Sequence, residues 1–338
     1  MAQRVENKQL SLTDYLLPDH AALHDLDDVM GVLDWGRLEA LLAPIYASAA
    51  GRPSYPHGVM LRALLLGAWY NLSDVRLESA LARDLLFRRF CNLRMEDSVP
   101  DHSTLSRFRT QVMQHGVWES LLAEVNRQLF RKNIMIKTGQ VSIIDATVVE
   151  AHQSRPHKRE DGSTTQDTDA GWSVKQKPDG SMRSVYGYSV HTNVDEDGFV
   201  QKQTVTVGNV HDITQRDALL TGHEAQLYAD SAYASKATDA LLAARGIDNQ
   251  VQRKAYRNQP LSEADKARNK VIGTTRGRIE PVFGDWKQFR GLTKTRFMGR
   301  LKNAVHCGII AMMHNLTKAA RFVARYGLPL QNPQPYCA

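Results

Sequence analysis

The feature that most constrains this chain is a change of hydrophobic period at Gly139. Before it, apolar residues recur at three- and four-residue spacing, as in HGVMLRALLLGAWYNLSDVRLESALARDLLFRRF from His57, which predicts packed helices up to about residue 135. After it, QVSIIDATVVEA is β-branched and predicts a buried strand. Ser73 is a candidate helix start, and in VPDHSTLSRFR the Pro100-Asp101 break precedes a helix that Asp101 or Ser103 can cap. That helix carries Arg107 and Arg109, expected to point outward, with Leu105 and Phe108 as its packing side. The pair of helices fits a helix-turn-helix reader of DNA as well as an ordinary bundle.

Beyond the first strand, residues 152–182 are rich in Ser, Thr, Gln, Asp, Lys and Gly and read as a polar loop that orders only against a partner. YGYSVHTNVDEDGFVQKQTVTVGNV predicts a hairpin turning at Asp195–Gly198. A helix over DITQRDALLTG, a strand in AQLYAD, a helix in SKATDALLAARG closed by Gly246 and a strand in DNQVQRKAY follow. A long helical stretch then runs from about Ser262, a last apolar helix begins near Leu301, and the tail with Pro329, Pro333 and Pro335 reads as irregular. Strands followed by alternating helices and strands predict a mixed sheet with helices on its faces, preceded by an all-helical region.

Charge locates a partner. The whole chain has 43 Lys/Arg against 36 Asp/Glu, but Arg253 to Lys302 alone holds fourteen basic and four acidic residues, a net of +10. The remaining residues are mildly acidic. A basic block on an acidic body is the footprint of a polyanion partner, or else a solvated face. The three cysteines, Cys91, Cys307 and Cys337, are too widely spaced for a metal or redox pair. With no signal-peptide pattern and no apolar run near the ~18 residues of a membrane span, the chain is read as soluble, in a reducing compartment.

Three carboxylates could converge. Asp145 follows VSII, read as the far end of the first strand; Asp230 follows QLYA, and Glu280 lies in a helix within TTRGRIEPVFGDWKQ. Hard divalent cations such as Mg²⁺ take oxygen ligands, and two of them about 4 Å apart stabilise both oxygens of an in-line phosphoryl displacement. Taken singly, each Asp reads equally as a turn or cap residue, and Glu280 as part of a solvated face with Arg276. On an ideal helix Arg276, Glu280 and Lys287 fall within about 40° of one another, a carboxylate flanked by two cations. Pro281 predicts a kink or helix restart at Glu280.

These blocks resemble bacterial DDE transposases. IIDATVVEA, YADSAYAS and R-x-x-x-E-x-x-x-x-x-x-K (Arg276, Glu280, Lys287) are similar to the three catalytic blocks of the insertion sequence five group, within the insertion-sequence-four-like class. WYNLSDVRLESALARDLLFRRF and VPDHSTLSRFR resemble that group's amino-terminal segments, so the likeness covers roughly residues 55 to 320. The wider class has a Tyr three residues before the Arg, where this chain has Gly273. The resemblance implies an α/β fold with a ribonuclease-H-like mixed sheet flanked by helices, preceded by an all-helical N-terminal domain. It divides the chain into a DNA-binding and dimerisation region (1–138), a catalytic domain (139–322) and a tail (323–338).

The same resemblance makes Asp145, Asp230 and Glu280 the catalytic metal ligands, for two Mg²⁺ per site with Mn²⁺ as a substitute. Arg276 and Lys287 then position DNA, and Arg278, Arg290, Lys294, Arg296, Arg107 and Arg109 are further candidate DNA contacts. Hydrolysis at the element's end frees a 3′-hydroxyl, which attacks target DNA by direct transesterification without ATP; no G-x-x-x-x-G-K-[ST] loop is present. The expected partners are double-stranded terminal inverted repeats, target DNA and a second copy of the chain, in a cytoplasmic, nucleoid-associated setting with no membrane. A metal-dependent nuclease and a non-catalytic DNA-binding derivative are the alternatives.

Overall fold

The computed structural model describes residues 20–45, 54–135, 140–155, 164–176, 180–256 and 259–327. Residues 328–338 of the expected tail, and 156–163 and 177–179 of the expected polar loop, lie outside the described residues. The described residues divide into two compact units: those up to 136 together with those from 308 onward, and those from 137 to 307.

The first unit is helical: α1 (Asp27–Val32), α2 (Trp35–Leu42), α3 (His57–Trp69), α4 (Asp74–Arg83), α5 (Leu85–Phe90), α6 (His102–Gln114) and α7 (Trp118–Arg131). In α3 every residue from His57 to Ala68 is buried, so it is the helix the others pack around. Its buried Arg62 stacks over the Trp35 ring at 4.7 Å, so the cation is not left facing hydrocarbon alone. Ser73 caps α4 by accepting from Arg76 N at 3.3 Å, and Asp101 caps α6 by accepting from Thr104 N at 2.7 Å.

Arg109 corrects the sequence reading. Leu105, Phe108, Arg109 and Val112 form the buried stripe of α6, so Arg109 points inward rather than outward. Its guanidinium makes two parallel bonds to Asp74, at 2.9 and 2.7 Å, with only 7% of its side chain exposed. A charge that buried needs a partner, and Asp74 at the start of α4 supplies it. Arg109 therefore fastens α6 to α4 and is not available to DNA, whereas Arg107 is exposed.

The second unit is built on six strands: β1 (Val141–Glu150), β2 (Gly171–Gln176), β3 (Met182–Val194), β4 (Val200–Val207), β5 (Gln226–Ala229) and β6 (Asp248–Val251). β1 pairs antiparallel with β3 and parallel with β5, β5 pairs parallel with β6, and β3 also pairs with β2 and β4. Thus β3 carries β2 on its first half and β4 on its second. At the handover Gly187 lies so near the next strand that a Cβ would stand 1.9 Å from Val149 O.

The helices of this unit are α8 (Arg216–Leu219), α9 (Lys236–Ala244), α10 (Glu263–Arg276) and α11 (Glu280–Gln288), with the start of α12 (Arg300–Tyr326), whose residues from Gly308 belong to the first unit. One apolar cluster gathers Ile144, Leu219, Leu227, Ala229, Tyr233, Leu242 and Val251 around the parallel strands. The expected hairpin at Asp195–Gly198 forms, with Gly198 at φ 79°. The stretch from Ser262 is helical only to Gln288, and residues 289–299 are irregular.

One further expectation changes. The polar loop 152–182 contains the edge strand β2, whose pairing with β3 stabilises a segment too polar to be recognised by itself. Within it Asp167 is buried, accepting from Tyr188 Oη at 2.8 Å and from Gly299 N at 3.1 Å, so this part is anchored by the chain's own donors. From Gly308 onward α12 packs within the first unit. There the absent Cβ of Gly308 makes room for the Trp118 ring, and Asn315 donates to Asn126 at 2.7 Å.

Candidate active site

The site begins with strand register. The parallel pairing of β1 with β5 ends at Ile144↔Ala229, so Asp145 and Asp230 occupy equivalent positions one residue beyond it. Parallel strands lie about 4.8 Å apart and matched residues face the same way. Two carboxylates therefore stand side by side where the shared ladder stops. Asp145 is not at the far end of its strand, as the sequence suggested: β1 runs on to Glu150. What ends at Asp145 is the neighbour.

That leaves a notch along β1. Its edge is covered by β5 up to Ile144 and again at Glu150, where Glu150 N donates to Thr293 O at 3.1 Å and Thr295 N donates to Glu150 O at 2.7 Å. Asp145 stands at one end and Lys294 at the other, its Nζ 3.5 Å from Glu150 Oε1. A stretch of five residues spans roughly 17 Å of strand.

Glu280 reaches the notch from the helices. A 3₁₀ turn, Gly277–Ile279, separates α10 from α11, which restarts at Glu280 with Pro281 in its first turn. The restart expected from Pro281 is therefore present, and proline is accommodated where its missing N–H is not needed. Arg276, the last residue of α10, donates through Nη1 to Asp145 Oδ2 at 2.7 Å and through Nη2 to Glu280 Oε1 at 3.3 Å. Asp145 Oδ1 accepts from Ala146 N, and Asp230 Oδ1 accepts from Ala232 N at 2.9 Å, starting a short 3₁₀ turn.

The donor set is all oxygen, as a hard cation requires. Among the described residues no group of three or more His, Cys, Asp or Glu is gathered tightly enough to hold a metal ion; Glu280 is 66% exposed on its side chain and paired with Arg276. The guanidinium itself marks the place: a positive charge bridges two of the three carboxylates.

The other expected DNA contacts differ in availability. Arg278 is exposed and donates to Glu196 O at 2.7 Å; Arg290 is only 12% exposed on its side chain and is held by Asp285 at 3.3 Å. Lys294 is exposed beside Glu150, while Lys287 and Arg296 are half-buried.

Sequence reading missed Tyr233, three residues after Asp230. Its ring is buried in the apolar cluster and its hydroxyl is buried without a hydrogen-bond partner. Burial first, and then the charges of Asp212, Asp145 and Asp230, push its phenol far above the ordinary tyrosine range. Asp212, 3.6 Å from His191 Nδ1, thus belongs to the surroundings of the aspartate pair.

The site thus combines two aspartates at the end of a shared parallel ladder with a glutamate that Arg276 ties to the first of them. Residues 136–316 match the family described as a Transposase DDE domain, and residues 12–111 match the family described as a Transposase domain (DUF772). The chain belongs to the DDE transposases, of the type related to insertion sequences four and five. It is a DNA transposase, a polynucleotidyl transferase that cuts and transfers DNA strands, and its mixed sheet is of the ribonuclease-H-like kind. Enzymes of this family use divalent metal ions. No solved structure matches the chain. Among the described residues no helix is long and apolar enough to cross a membrane.

Proposed function

We propose that this transposase belongs to the insertion sequence five group and acts on the terminal inverted repeats of its own element, as a homodimer on DNA within the bacterial cytoplasm. Asp145, Asp230 and Glu280 would hold two Mg²⁺, with Mn²⁺ able to substitute. The observation that carries this reading is the matched register of Asp145 and Asp230, which sets two carboxylates side by side where the shared ladder ends. Bound there, the cations would supply electrophilic stabilisation to the phosphodiester under attack.

The chain's own residues do the rest. Arg276 neutralises Asp145 and Glu280 in the free protein and turns to a DNA phosphate when the substrate arrives. A guanidinium suits that exchange, because its fork fits carboxylate and phosphate alike. Lys287, Arg278, Arg296 and Lys294 line the approach and hold the backbone in register, and the exposed Arg107 contributes from the helical unit. Arg290, occupied by Asp285, supports the turn after α11 and contributes charge at longer range. The released 3′-hydroxyl exchanges one phosphodiester for another, so no nucleotide cofactor is required. The region before residue 139 serves DNA recognition and pairing of two copies, and the one after it the chemistry.

The test is incubation of the purified protein with Mg²⁺ and DNA carrying the element's ends. Nicking at the end followed by joining to a second duplex supports the reading. Binding without cleavage would favour a DNA-binding derivative, and cleavage without joining a nuclease.

A further inference from the structure

Asp145 has a neighbour on its other side that the proposed function does not use. Across the antiparallel ladder Asp145 pairs with Thr192 of β3, and Thr192 pairs in turn with Gln203 of β4. Residues directly opposite in such ladders face the same side of the sheet, with Cβ atoms about 5 Å apart. Asp145, Thr192 and Gln203 therefore form one polar row across three adjacent strands, and Asp230 follows the end of the fourth.

The right-hand half of that row is unspent. Thr192 is fully buried and its Oγ1 has no hydrogen-bond partner; Gln203 is 4% exposed, and neither its Oε1 nor its Nε2 has one. A buried polar group left unsatisfied costs stability. Valine would fill the Thr192 position with the same shape and without that cost. A hydroxyl kept at a position where valine fits, beside a carboxylate whose guanidinium partner has other work, calls for an explanation in a second state of the site.

We propose that Thr192 is a positioning residue for Asp145, its hydroxyl being the donor that takes up an Asp145 carboxylate oxygen when Arg276 lets go. In the DNA-free protein Arg276 Nη1 occupies Asp145 Oδ2. Once Asp145 turns to a cation and Arg276 to a phosphate, that carboxylate loses its strongest donor. Thr192 is the hydroxyl directly across the ladder with a hydrogen to give, and Gln203 behind it accepts or donates to complete the row. Donors behind a ligating carboxylate fix its orientation, and losing one weakens metal binding by about ten- to a hundredfold. This inference rests on the reading of Asp145 and Asp230 as cation ligands.

The experiment is calorimetric titration of Mn²⁺ into the full chain without DNA, together with thermal unfolding in chelator, for wild type, Thr192→Val and Thr192→Ser. Thr192→Val is expected to bind Mn²⁺ about tenfold more weakly while unfolding at the same or a higher temperature. Thr192→Ser keeps the hydroxyl and is expected to bind as wild type does. Equal Mn²⁺ affinity in wild type and Thr192→Val overturns the proposal and leaves the metal reading standing. So does a lower unfolding temperature in Thr192→Val, which would make the hydroxyl a structural group. A wild type that takes up no Mn²⁺ overturns both.

Discussion

Arg276 joins Asp145, 131 residues away in sequence, to Glu280, four residues on, with one guanidinium nitrogen on each carboxylate at 2.7 and 3.3 Å. The arginine thereby joins β1 to the start of α11 and supplies the positive charge that paired carboxylates need. A cation entering the site competes with it for Asp145.

Replacing Arg276 should separate its two roles. Arg276→Ala is expected to raise the Mn²⁺ affinity of the DNA-free protein several-fold while lowering end cleavage, because the competitor and the phosphate anchor are lost together. In chelator it should cost roughly 1–3 kcal/mol of stability, since the charged hydrogen bond between Arg276 and the largely buried Asp145 is lost. Titration calorimetry and denaturant unfolding measure the two effects, and weaker Mn²⁺ binding would contradict the competition.

The two arginines of α6 should fail differently. Arg109→Ala strands the Asp74 carboxylate and is expected to destabilise the protein by about 3–5 kcal/mol. Arg107→Ala, on the exposed face, should leave stability within about 0.5 kcal/mol and weaken binding to end DNA. Thermal melts and DNA titrations of both variants decide; the reverse pattern would return Arg109 to the DNA-facing side.

The cap of α6 carries a pH signature. The Ser103 hydroxyl, and then the Thr104 backbone N–H, hold the Asp101 carboxyl down at about 2. A pKa lowered by folding gives stability that is present above the unfolded value, about 3.9, and is lost as pH falls from there towards the folded one. Asp101→Ala should therefore cost about 1 kcal/mol at neutral pH, and the gap to wild type should narrow below pH 4. Denaturant unfolding at pH 6 and pH 3 checks the sign, and a gap that widens in acid would contradict it.

Salt should report the phosphate contacts along the notch. Log affinity for duplex DNA is expected to fall with log salt by about 0.9 for each phosphate neutralised. Lys294→Ala should reduce that slope by about one contact and weaken binding on any sequence. An unchanged slope would remove Lys294 from the interface.

Much of the site was legible because it is written in runs. VSII and QLYA each end on an aspartate, and two buried strands that neighbour each other carry those aspartates to one place. Pro281 marked the restart that brings Glu280 over them. Pairings between distant segments left no such trace. Arg109 looks like a surface cation until Asp74, 35 residues away, is brought against it. β2 is polar and acquires its strand form from β3. Thr192 and Gln203 lie within the predicted hairpin, and nothing in their run shows that both are buried and aligned with Asp145. Tyr233 was visible in YADSAYAS, but nothing in a linear sequence tells that its hydroxyl is buried without a hydrogen-bond partner and feels the charges of three aspartates.

Exchange of the two aspartates for cysteine tests the central claim most directly. Thiolate is a softer ligand than carboxylate and is mismatched to Mg²⁺. If Asp145 and Asp230 hold the cations, Asp145→Cys and Asp230→Cys should each lose end cleavage in Mg²⁺ and regain part of it in Mn²⁺. Full cleavage in Mg²⁺ by either variant would contradict the account.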